Sequence, residues 1–136
     1  MPEEQKPTGI VLVADGIDEC LDTTLKEALA PTDYALMHVR NAVEAVATLE
    51  LLKSEITLAI IESNFRAANG FDLIGRLVMR DQPNRVKIIM TTGHERPSPQ
   101  LVRELGGHAV VSRSMPPEVW RTTIVTLLSG KRGGPF

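Results

Sequence analysis

Two periods of apolar residues alternate along the chain. Residues 10–14 (IVLVA) form a continuous β-branched run, which predicts a short strand buried on both faces. Ile17, Cys20, Leu21, Leu25, Ala28 and Leu29 then recur at helical spacing, predicting an amphipathic helix that Pro31 stops. Residues 34–39 (YALMHV) predict a second, weaker strand. Asn41 with Glu44 three positions on makes a capping-box variant that opens a helix to about residue 53. A third strand is predicted over 58–61. A helix over 70–80 carries Phe71, Ile74, Leu77 and Val78 on one stripe, and residues 86–90 give the fourth strand. Ser98 and Pro99 supply a cap and a first-turn proline for a helix that Gly106 ends. Residues 109–111 form the fifth strand. Pro117 begins a last helix whose buried face is Trp120, Ile124, Leu127 and Leu128.

The order is therefore strand, helix, five times over. Strands joined through helices are parallel, and right-handed crossovers place helices on both faces. The expected fold class is α/β: a doubly wound, five-stranded parallel sheet with five helices. One domain over 8–129 accounts for all the patterned elements. The polar start, 1–7, and the glycine-rich basic tail, 130–136, are expected to be flexible ends.

Composition narrows the function classes. Of 136 residues, 43% are hydrophobic but only 4% aromatic, so the core is aliphatic. The net charge of −2 gives no bulk attraction to nucleic acid, and Lys131-Arg132 is too short a basic run to claim any. No apolar run approaches the ~20 residues that span a bilayer, and the polar N-terminus is no secretory signal. A lone cysteine, Cys20, closes no intrachain disulfide and is too few for a structural zinc site. Its place on the apolar stripe of the first helix makes it a core residue. These features predict a cytoplasmic protein with neither membrane nor nucleic-acid partner.

In a doubly wound sheet, chemistry gathers beyond the carboxyl ends of the strands. There the chain carries Asp15-Gly16, Glu62-Ser63-Asn64, Thr92-Gly93-His94 and Ser112-Arg113: two carboxylates, hydroxyls and a guanidinium. His94-Glu95 lacks a nucleophile or metal partner and reads as a loop pair. His38, His94 and His108 have no metal-ligand spacing, and neither a G-x-G-x-x-G run nor a P-loop lysine is present. Ser63 reads as a loop residue and Trp120 as a core residue.

These strand ends also carry a family resemblance over roughly residues 8–129. VLVADG resembles the first strand of bacterial response-regulator receiver domains, and LAIIESNFRAANGFDLI their third strand and phosphoacceptor turn. IIMTTG resembles the fourth strand with its terminal hydroxyl residue, and LGGHAVVSRSMPPE the stretch around the family's lysine and proline. The resemblance implies a flavodoxin-like receiver fold with strand order 2-1-3-4-5. It also implies an aspartate that takes a phosphoryl group from a histidine kinase. Carboxylate-held Mg²⁺, a lysine and a Ser/Thr would steady the transferred group.

Position by position, this chain departs from that pattern. Glu62 stands at the acceptor aspartate, Gly16 at the second member of the acidic pair, and Arg113 at the lysine. Ser114 replaces the proline after it, Val110 the switch aromatic and Arg66 the acceptor-loop proline; Asp15, Thr92, Gly70 and Gly106 are kept. Asp15 and Glu62 are the carboxylates left for a metal. The extra methylene of Glu62 moves its carboxyl by roughly 1.5 Å, and a displacement near 1 Å can cost about 10²-fold in a positioned reaction. Arg113 brings a planar fork suited to pairing with Glu62 or Asp15, not a lysine's point charge.

The expectation is a stand-alone pseudo-receiver, not an enzyme, that binds no cofactor and Mg²⁺ only weakly. It would act through protein contacts in a two-component phosphorelay, with a histidine kinase or a downstream effector as partner. Residues 98–106, 109–111 and 117–129 correspond to the family's usual contact face and make a homodimer conceivable. Glu62 is open to three readings: drift, imitation of the phosphorylated state, or a working acceptor with Mg²⁺. A small-ligand sensor using the same crevice is the alternative from a different class.

Overall fold

A computed structural model describes residues 9–14, 20–52, 55–62, 86–92, 99–104 and 107–129. The strands are β1 (Gly9–Ala14), β2 (Tyr34–Val39), β3 (Ile56–Glu62), β4 (Lys87–Thr92) and β5 (Ala109–Ser112). The helices are α1 (Cys20–Leu29), α2 (Ala42–Leu52), α3 (Pro99–Glu104) and α4 (Pro117–Leu128). The helix expected over 70–80 lies outside the described residues, as do Ser98, Gly106 and both expected flexible ends.

The sheet runs β2-β1-β3-β4-β5, and every neighbouring pair is parallel. This is the doubly wound α/β arrangement predicted from the alternating periods. Two apolar clusters cover its two faces. Leu12, Ile61 and Met90 pack with Ala45 of α2 and Val102 of α3. Val13, Ile60 and Ile89 pack on the other side with Leu25 of α1 and Trp120 of α4. Alternation along each strand thus divides its side chains between the faces, and central strands need apolar residues on both.

Several strands outrun their apolar cores. β3 begins at Ile56 and the register with β1 steps between Ile10 and Val11, so Thr57 is an extra residue. Its hydroxyl donates to the Ile10 carbonyl at 3.4 Å. β4 continues through Thr91 and Thr92, which pair with Val111 and Ser112 of β5. Threonine is β-branched and fits a strand despite its polarity. The polar residues expected just beyond the strands are thus partly the last residues within them.

Helix ends explain the entry and exit angles. At α2, the Glu44 N–H donates to Asn41 Oδ1 at 2.9 Å, while Glu44 Oε1 accepts from the Arg40 N–H at 2.8 Å. The carboxylate therefore satisfies the residue before the cap, a one-position variant of the reciprocal box. After α3, the Gly107 N–H reaches back to the Val102 carbonyl at 2.7 Å, the six-to-one bond of a Schellman-type ending. On α4, Thr123 joins Trp120, Ile124 and Leu127 as buried, its hydroxyl donating to the Val119 carbonyl at 2.9 Å. Leu128, expected in that row, is only partly buried. No helix among the described residues is long and apolar enough to cross a membrane.

Candidate functional site

Register brings the carboxyl ends of β3, β4 and β5 side by side. Glu62 is paired with Thr91, Thr91 with Val111, and Thr92 with Ser112, directly before Arg113. Glu62, Thr92 and Arg113 are thus gathered at one sheet edge by backbone pairing alone. Ala14, the last residue of β1, is paired with Ile61. Asp15 and Gly16, which follow it, lie outside the described residues, as do Ser63, Arg66, Gly70, His94 and Glu95.

Glu62 is 2% exposed. Its position continues the alternation of Leu58 and Ile60, which belong to the cluster against α1 and α4. Thr91 continues the alternation of Ile89 on that same face and is fully buried. Its hydroxyl has no hydrogen-bond partner among the described residues. The hydroxyl placed beside Glu62 in register is therefore that of Thr91, which the resemblance passed over in favour of Thr92. The doubled threonine of IIMTTG was the available signal.

Beyond β5 the chain turns sharply. The Met115 N–H donates to the Ser112 carbonyl at 3.1 Å, and the Ser112 and Ser114 hydroxyls lie 3.0 Å apart. The Ser114 N–H also donates to Ser112 Oγ at 3.3 Å. Arg113, half-buried, sits between the two serines. With serine at 114, a backbone N–H is available that proline could not supply.

Of the carboxylates that the resemblance assigns to Mg²⁺, Asp15 lies outside the described residues and Glu62 is the one described. Gly16 contributes no carboxylate, and the only described carboxylate at this edge is almost wholly buried. Mg²⁺ holds near-octahedral geometry and keeps several waters, so it favours carboxylates open to solvent. Among the described residues, no group of three or more His, Cys, Asp or Glu side chains is placed to hold a metal.

The two described histidines, His38 and His108, stand elsewhere. His108, just before β5, is tied to the other end of β4: its Nδ1 accepts from the Ile88 N–H at 3.0 Å, and its own N–H donates to the Ile88 carbonyl at 2.7 Å. Burial, with the Lys87 charge adding to it, holds the His108 pKa below the ordinary histidine value. His38 of β2 lies 3.6 Å from Asp22 of α1, which also pairs with Lys26 at 3.1 Å. Neither belongs to the carboxyl-end cluster. Trp120 is fully buried against the sheet, as expected of a core residue. Cys20 opens α1, and its side chain is outside the described residues.

Comparison with solved structures identifies the architecture. The chain is similar to a response-regulator receiver domain from Clostridium thermocellum, with a TM-score of 0.78 and 15% identity over 90% of this chain and 95% of that one. A signal receiver domain from Vibrio parahaemolyticus gives 0.77 and 18%, covering 91% and 92%. A CheY-like receiver domain from Methanospirillum hungatei gives 0.76 and 22%, covering 90% and 94%. No protein-family model and no curated protein matches the sequence. The fold is that of response-regulator receiver domains.

Proposed function

We propose that this chain is a receiver-like domain that works in two-component signal transduction through protein contacts and without phosphorylation. The observation that carries this reading is the burial of Glu62, 2% exposed at the carboxyl end of β3. Phosphoryl transfer depends almost wholly on positioning and charge stabilisation around an accessible acceptor oxygen. Here the acceptor position holds a longer acid that is shut from solvent. Gly16 removes a metal carboxylate, and Arg113 stands where a lysine would neutralise the phosphoryl group.

In this reading the carboxyl-end cluster has a structural role and catalyses nothing. The domain signals by being recognised, with a histidine kinase or an effector as partner, and needs no Mg²⁺. Beryllofluoride, the phosphoryl mimic, provides the test. A titration in Mg²⁺ followed by amide chemical shifts is expected to leave β3, β4 and β5 unmoved. Saturable shifts centred on Glu62 and Thr92 would overturn the proposal.

A further inference from the structure

β2 is an end strand of the sheet, with β1 as its only strand neighbour among the described residues. It is six residues long, YALMHV, with no proline, lysine or acidic residue within it, and Tyr34 to His38 are all only half-buried. β5, the opposite end strand, has only four residues. Every second residue of a parallel end strand turns its N–H and C=O away from its neighbour, leaving a template for another strand. Natural sheets blunt such edges with charge, proline, bulges or shortness. β2 shows none of these, and its charges stand outside it: exposed Asp33 just before and exposed Arg40 just after.

We infer that the β2 edge is an interface for a second copy of this chain, paired antiparallel about a two-fold axis. Such an axis runs perpendicular to the sheet and keeps each face on its own side, so either Leu36 or Met37 meets its own counterpart. In both registers the Asp33 end of one strand lies beside the Arg40 end of the other, and no like charges stand opposite. Parallel pairing would set like ends together. The contact is isologous, so each favourable pair of ends occurs twice. Six residues of strand edge make a small interface compared with the ~800 Å² per partner of stable complexes, so the dimer is weak and reversible. This surface is distinct from the α3, β5 and α4 face that receiver resemblance suggests.

Sedimentation velocity of the full chain over a wide concentration range tests the inference. A reversible monomer–dimer equilibrium is expected. Arg40→Asp should weaken it several-fold, since each end of the strand pair then sets two acidic residues near one another, and adding Asp33→Arg should restore it. Val125→Glu, on the 44%-exposed residue of α4, should leave it unchanged. Circular dichroism confirms that each variant is folded. A chain monomeric at every concentration, an Arg40→Asp protein that dimerises as before, or a dimer abolished by Val125→Glu alone would each overturn the inference.

Discussion

Glu62 and Thr91 are register partners across β3 and β4, and both are buried on the sheet face covered by α1 and α4. A carboxylate and a hydroxyl at adjacent strand ends are the materials of a phosphoryl site. Closed off from water, they form a polar inclusion at the edge of an aliphatic core. Such groups cost stability unless their hydrogen bonds are made.

Thr91 shows that cost most simply. Its buried hydroxyl has no partner among the described residues, and valine has nearly the same shape. Thr91→Val is therefore expected to leave stability unchanged or raise it by about 1 kcal/mol, by removing an unsatisfied group. Urea denaturation checks this. A loss of ~2 kcal/mol would mean that the hydroxyl has a structural bond.

The His108 clip predicts a pH dependence. Its Nδ1 accepts the Ile88 N–H, so the folded chain favours the neutral ring, and burial lowers the folded pKa. The unfolded chain binds a proton near the ordinary value of about 6.5. This contribution is thus fully present above that value, and it is lost as pH falls from there through the lowered folded pKa. Denaturation midpoints between pH 7.5 and 5 should fall more steeply for the native chain than for His108→Ala. Equal slopes would contradict the assignment.

Arg121 of α4 holds the end of α1. Its Nε donates to the Ala28 carbonyl at 2.8 Å and its Nη2 to the Glu27 carbonyl at 3.2 Å. A guanidinium at a helix C-terminus satisfies orphan carbonyls and opposes the negative end of the helix dipole. Arg121→Ala is expected to lose about 1–2 kcal/mol of stability, and Arg121→Lys to recover only part of it. Chemical denaturation of the two variants supplies the comparison.

A methyl group at Gly107 would fall inside contact distance of Val102 Cγ1 and 3.1 Å from the Val102 carbonyl oxygen, the acceptor of the Gly107 N–H. Overpacked sites of this kind cost roughly 1–3 kcal/mol. Gly107→Ala should show that loss in thermal or urea unfolding, and retained stability would mean that the turn after α3 relaxes.

Most of the architecture was legible because strands and helices leave different periods in the sequence. IVLVA and the Leu21, Leu25, Ala28 spacing fix a buried strand and its covering helix without ambiguity. Strand ends were less legible: Glu62, Thr91 and Thr92 are polar, and polarity reads as loop until pairing with the next strand is known. For the same reason Thr92 drew the reading and Thr91 did not, since positions on the two faces of the sheet differ by one residue. The reach of Arg121 to α1 and of His108 to Ile88 left no local pattern, because each depends on segments far apart in the chain.

The central claim is that Glu62 takes no phosphoryl group. Intact mass after incubation with acetyl phosphate and Mg²⁺ tests it most directly, with the triple variant Gly16→Asp, Glu62→Asp, Arg113→Lys as the companion sample. The account predicts no added phosphoryl mass on the native chain and a Mg²⁺-dependent gain on the variant. A stoichiometric phosphoryl adduct at Glu62 of the native chain would contradict it.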